Sequence, residues 1–243
     1  MTGLMTTKLI TTKARAAARR LAILLPLVLS AAAHAAAQGE GNPPNWCRNG
    51  VFPDDSDNFR VARVAGARGE RAYFHKDAPD DCPQPRAKCR DKVYLVPGDE
   101  VIVSRTYGGW ACSWYQPRSG PGKVGWLAAE RLDIRETDAR PPLALWAGEW
   151  EFYENFLKVR AEAGTLGVEG QAYWHGLGDN VHVGEIAGRV APEGNALTLE
   201  EDTCRVTLRL VGPYLVVNDN GQCGGVNVTF DGVYRRKTPR RRR

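Results

Sequence analysis

Between residues 58 and 235 apolar and polar residues alternate in short runs, separated by clusters of Gly, Pro, Asn and Asp. A period of two sends successive side chains to opposite faces of an extended chain, so each run predicts a half-buried strand. Up to Leu127 there are six such runs: NFRVARV, AYFH, KVYLV, EVIVSRT, WACSWY and VGWL. The stretch LAAERL that follows Trp126 predicts one helical turn. From Gly148 onward eight more runs follow: GEWEFY, FLKVRAE, VEGQAYWH, VHVGEIAGRV, ALTLE, CRVTLRL, PYLVV and VNVTFDGVYR. Their connections, EN, GLGDN, APEGN and NDNGQCGG, have the composition of hairpin turns. The expected fold is all-β, with a small barrel followed by a small antiparallel up-and-down barrel or meander.

The first residues do not belong to this pattern. Five basic side chains, Lys8, Lys13, Arg15, Arg19 and Arg20, precede the apolar run LAILLPLVL and then SAAAHAAA. That order is a secretory signal peptide, with cleavage expected after Ala35 or Ala37. The apolar run is too short to span a bilayer, so no transmembrane segment is expected. No cysteine stands at the junction to accept a lipid, and a soluble periplasmic or secreted protein is expected. The organisation predicted is a leader at 1–37, a first module at 38–135, a linker at 136–143, a second module at 144–235 and a disordered basic tail at 236–243.

Removing the leader changes the meaning of the charge. Of 33 Lys and Arg, five lie in the leader, which leaves 28 against 28 Asp and Glu. Seven of the remaining basic residues lie in RRKTPRRRR at the end, so the body carries a net charge of −7 and the tail is basic. Export makes nucleic acid an unexpected partner for that tail.

Six cysteines remain in an exported chain, and an even number in an oxidising compartment is the arithmetic of disulfides. Cys204 alternates in phase with Val206, Leu208 and Leu210, so it faces the core side, and Cys223 is its only partner within the second module. A Cys204–Cys223 disulfide is expected. Cys223 stands between glycines in NDNGQCGG, which also raises the question of a nucleophile in an oxyanion hole. That reading needs a free thiolate with a basic partner, and neither His175 nor His182 is tied to Cys223 by sequence. In the first module Cys82 and Cys89 bracket a loop short enough to close locally, which would leave Cys47 with Cys112; three pairings of these four are possible. CPQPRAKC is not a zinc-binding pair.

The stretch YLVPGDEVIVSRTYGGWACSWYQPRSGPGKVGWLAAERLDI resembles the bacterial SH3-like family at Gly98-Asp99, Val101, Val103, Gly109-Trp110 and Gly125-Trp126-Leu127. It departs from that pattern in the cysteine-bearing insertion at 78–90. The resemblance implies a five- or six-stranded SH3-like barrel that binds peptidoglycan or accompanies wall-active domains, without catalysis. Gly148-Glu-Trp150 and Gly232-Val-Tyr234 resemble, more weakly, the opening and closing strands of lipocalin and avidin-like barrels.

Tyr107, Trp110, Trp114 and Tyr115 cluster around the GGW turn and are the candidate ligand-binding residues, because aromatic faces stack on sugar rings or anchor peptides. Trp110 and Trp126 also fit core positions, and Trp114 and Tyr115, being consecutive in a strand, must point to opposite faces. His175, His182 and Glu185 could approach across a glycine turn, but the expectation is no metal and no cofactor. No nucleophile elbow, phosphate loop or zinc-protease motif occurs in the chain. The function expected is non-enzymatic binding of peptidoglycan or an envelope protein. The alternatives are inhibition of a wall-degrading enzyme such as lysozyme, through glycine-rich turns such as HGLGDN and GQCGG, and carriage of a small ligand in the second barrel, whose core is expected to be packed.

Overall fold

The computed structural model describes residues 43–118 and 120–237; the leader expected at 1–37 and the tail residues 238–243 lie outside them. The fold is all-β, with two antiparallel sheets. The first has seven strands, β1 (Arg60–Val64), β2 (Ala72–His75), β3 (Arg90–Leu95), β4 (Glu100–Tyr107), β5 (Trp110–Tyr115), β6 (Lys123–Ala128) and β7 (Leu132–Arg135), in the order β3-β2-β6-β5-β4-β1-β7. All six predicted runs are strands, and the expected helical turn is the 3-10 turn Ala129–Arg131. The seventh strand, LDIR, was not expected; it lies along β1, with Ile134 opposite Ala62. At the β4–β5 hairpin both Gly108 and Gly109 take positive φ (54° and 85°), the backbone a two-residue turn needs to match strand twist.

The second sheet is a meander of eight strands, β8 (Gly148–Phe152), β9 (Asn155–Glu162), β10 (Thr165–His175), β11 (Val181–Val190), β12 (Ala196–Glu201), β13 (Cys204–Val211), β14 (Tyr214–Asp219) and β15 (Gly232–Arg236). The last strand pairs with the first, β15 with β8, so the sheet curls into a nearly closed barrel whose one open seam lies between β11 and β12. Its interior is filled by fully buried Trp146, Trp150, Leu157, Leu208, Phe230 and Tyr234.

Two boundaries differ from expectation. The run VNVTFDGVYR is a strand only from Gly232; residues 220–231 form a loop. The Asp219 carboxylate captures the chain there, accepting hydrogen bonds from the Phe230 N–H (2.5 Å), the Thr229 hydroxyl (3.1 Å) and the Gly221 N–H (2.6 Å). These side-chain bonds replace a ladder, and Asn227 takes a positive φ of 66°. The expected tail also begins too early, because Arg236 lies in β15 and the Lys237 N–H donates to the Glu149 carbonyl at 2.7 Å.

The two sheets share a core. Phe52, Phe59, Ile102, Cys112, Trp114 and Trp126 pack in one apolar cluster with Val211, Tyr214, Val216 and Val233 of the barrel. Strand β5 is therefore covered on both faces, since Ala111 packs into a second cluster with Phe74, Val101 and Leu127. The described residues belong to one compact unit.

Three disulfides fasten these parts: Cys47–Cys112, Cys82–Cys89 and Cys204–Cys223. The first ties the segment before β1 to β5. The second closes the loop between β2 and β3. The third anchors the 220–231 loop to the start of β13, and that loop fills the seam end: the Gly225 N–H reaches the Val183 carbonyl (3.5 Å), and His182 Nδ1 donates to the Val226 carbonyl (2.6 Å).

Candidate ligand-binding site

Cys223 is bonded to Cys204, so its sulfur carries no free thiol, and the residue is buried. The histidines do not assemble either. His175 stands opposite Val181 and His182 opposite Trp174, so the two rings occupy opposite faces of the sheet. His175 Nε2 meets Glu154 at 2.5 Å, while His182 stacks on Trp174 with ring centres 5.1 Å apart. Among the described residues no group of three or more His, Cys, Asp or Glu side chains is placed to hold a metal.

The four aromatic candidates separate. Trp114 is 1% exposed, wedged between Phe52 and Phe152 with ring centres 5.4 and 5.8 Å away, and its indole N–H donates to Gln116. It is a core residue of the junction, and the binding expectation is corrected for it: the opposite face of β5 from Tyr115 is covered by the barrel. Tyr115 is half-buried in a groove with Tyr214 and Arg235. Tyr107 is 40% exposed beside Trp126, directly across the β4–β5 hairpin from Trp110. Trp126 is fully buried, as expected of core. Trp110 lines a separate cavity.

That cavity, about 350 Å³, lies on the first sheet. Alternation along β2 builds one wall: Ala72 and Phe74 point into the core, which turns Arg71, Tyr73 and His75 to the other face. Trp110 and its cross-strand partner Ala128 form the floor on β5 and β6. Arg131 closes one side from the 3-10 turn, and Arg90 from β3 the other. The lip is Pro85, Arg86 and Ala87 of the loop that Cys82–Cys89 closes, the insertion that departs from the SH3-like pattern.

Four arginines and no Asp or Glu line this cavity. Two are held from outside: Arg86 by Asp81 (3.3 Å) and Arg131 by Glu70 (2.6 Å). The other two lie on aromatic rings, Arg90 over Tyr73 (4.8 Å) and Arg71 over Tyr94 (4.3 Å), and among the described residues neither makes an ion pair with a carboxylate. His75 stacks against Trp110 with centres 4.4 Å apart, and its Nδ1 donates to the Tyr73 carbonyl at 3.1 Å. Burial, and then the charge of Arg90, push its pKa below the ordinary 6.5, so it is neutral at pH 7. The arrangement is an electropositive recess with a flat aromatic wall.

Sequence reasoning found Trp110 and missed His75 and the arginines. The spacing Arg71, Tyr73, His75 was a usable signal, because period two places these three on one face. Arg131 and the 82–89 loop gave none, since only the folded sheet brings them to Trp110. Comparison with protein-family models, with characterised proteins and with solved structures found no match, and any functional reading therefore rests on the residues themselves.

Proposed function

We propose that this is an exported, non-enzymatic binding protein of the cell envelope that recognises peptidoglycan, or a partner attached to it, through the first sheet. The carrying observation is the arginine-lined recess beside Trp110, which offers a stacking surface for a sugar or amide plane next to donors for anionic groups. The SH3-like resemblance of the same strands supports the reading. The three disulfides are consistent with an oxidising compartment, and among the described residues no helix is long and apolar enough to cross a membrane.

The test is retention of the mature protein on purified sacculi at low and high salt, with a variant truncated after Lys237, which leaves β15 whole. Retention that persists without residues 238–243 and falls in Trp110→Ala supports the reading. Retention that disappears with those residues alone, or no retention, overturns it.

A second reading, blockade of a wall-degrading enzyme, is favoured by one arrangement. The two glycine-rich connections converge at one barrel end, where Leu177 (98% exposed) and Val226 (70% exposed) project beside the His182–Val226 bond. Assay of lysozymes with purified protein decides it, and unchanged hydrolysis at saturating protein removes it. The buried Trp150, Leu208 and Tyr234 in the barrel interior do not favour the carrier alternative.

A further inference from the structure

We propose that the recess beside Trp110 is a carboxylate subsite that selects the free acid groups of wall stem peptides over their amidated forms. This rests on the wall reading above and adds the chemical feature that is recognised.

The argument begins with how the two ring-stacked arginines are held. A guanidinium stacked on an aromatic ring uses its π face and keeps its in-plane N–H donors available. Arg71 and Arg90 are in that state, on Tyr94 and Tyr73. Arg71 spends only a long 3.4 Å bond on the Tyr73 hydroxyl. Their side chains are thus oriented before a ligand arrives, which lowers the ordering cost of gripping it. Arg131, held by Glu70, adds its guanidinium to the same lining.

Charge supports the same conclusion. Asp81 and Glu70 compensate Arg86 and Arg131 from outside the recess, so among the described residues its unbalanced positive charge is that of Arg71 and Arg90. A neutral sugar would need the aromatic wall and not the arginines. A planar carboxylate matches the guanidinium fork, and an adjoining amide plane or sugar face fits against Trp110 and the neutral ring of His75. A volume of about 350 Å³ suits one short peptide end rather than a folded partner.

The experiment uses the whole mature protein and one soluble muropeptide in two forms, with stem carboxylates free and with them converted to amides, titrated by calorimetry alongside the sacculus assay. Glycerol phosphate serves as an anion without a carboxylate. The expected result is at least about tenfold tighter binding of the free acid than of the amide. That preference is lost in Arg90→Gln and Arg71→Gln and only partly restored in Arg90→Lys, which keeps the charge without the fork. Both arginines are exposed, so the variants are expected to keep the circular dichroism and melting of the parent.

Equal affinity for acid and amide, with sacculi still retained, overturns the subsite and leaves the wall reading standing. Preference for glycerol phosphate over the acid peptide also overturns it. Acid-selective binding lost in Arg90→Gln, with no retention on sacculi, keeps the subsite and sinks the wall reading. Failure of both ligand forms to bind overturns the subsite.

Discussion

Gly184 of β11 stands directly against the Cys223 carbonyl: a β-carbon at residue 184 would lie 2.2 Å from that oxygen and 2.9 Å from a Val228 methyl. The barrel's open seam is closed here by backbone approaching backbone, which only glycine permits. Gly184→Ala is expected to push the 220–231 loop outward and cost about 1–3 kcal/mol. Removing the staple itself, with Cys204→Ser and Cys223→Ser together, is expected to cost about 2–4 kcal/mol. Denaturant midpoints give both numbers, and faster amide exchange in the loop identifies the cause. An unchanged midpoint for Gly184→Ala would mean that the loop is not seated on β11.

Trp114 joins the two sheets. Truncating it to Ala leaves Phe52 and Phe152 without a common neighbour and is expected to cost about 3–5 kcal/mol. Because the cluster is shared, the parent and variant should each unfold in one transition, with fluorescence and far-ultraviolet dichroism coincident. Two separated transitions would show that the sheets fold independently.

His75 supplies a pH signature for the recess. The imidazole faces Arg90, Tyr73 and Trp110, and burial together with the Arg90 charge lowers its pKa from 6.5. Its contribution to stability is therefore complete above about 6.5 and is lost as pH falls through the lower folded value. An anion in the recess favours the protonated ring, so affinity for an acid ligand should rise as pH falls through that value and ligand should raise the His75 midpoint. Imidazole resonances followed by NMR report both effects. A midpoint at or above 6.5 in the free protein contradicts the packing described.

Asp231 behaves in the opposite sense. Burial, then the nearby Asp219 and Asp54 carboxylates, raise its pKa from 3.8 to about 6. The folded state keeps a proton that the unfolded chain releases, so this contribution is full below 3.8 and is lost as pH rises through about 6. Asp231→Asn should raise the melting temperature above pH 6 and change it little below pH 4. An equal shift at every pH would rule out titration as the source.

Much of this fold could be read from alternation alone, as the strands of CRVTLRL and AYFH illustrate, because a half-buried strand writes its burial into every second residue. The last run misled, since VNVTF alternates as a strand does while Asp219, a residue outside it, redirects its hydrogen bonds. Trp114 misled for a related reason. Alternation sets it opposite Tyr115, but the rings that cover it are Phe52 and Phe152, in segments before β1 and in β8, within a cluster shared with β14 and β15. The recess was legible at Trp110, and period two offered a further signal at Arg71, Tyr73 and His75; the rest of its lining depends on how distant segments meet.

The apolar layer that Phe52, Trp114 and Phe152 share with Tyr214 bears on how such a chain can change over time. In sequence it divides neatly near the paired prolines, and a recombination event could cut there. Each half would then expose the aromatic surface the other had covered, and a substitute sheet would have to carry a matching one. Neither half is therefore expected to be exchanged without the other, and a change at Trp114 is expected to need an answering change on the opposite sheet.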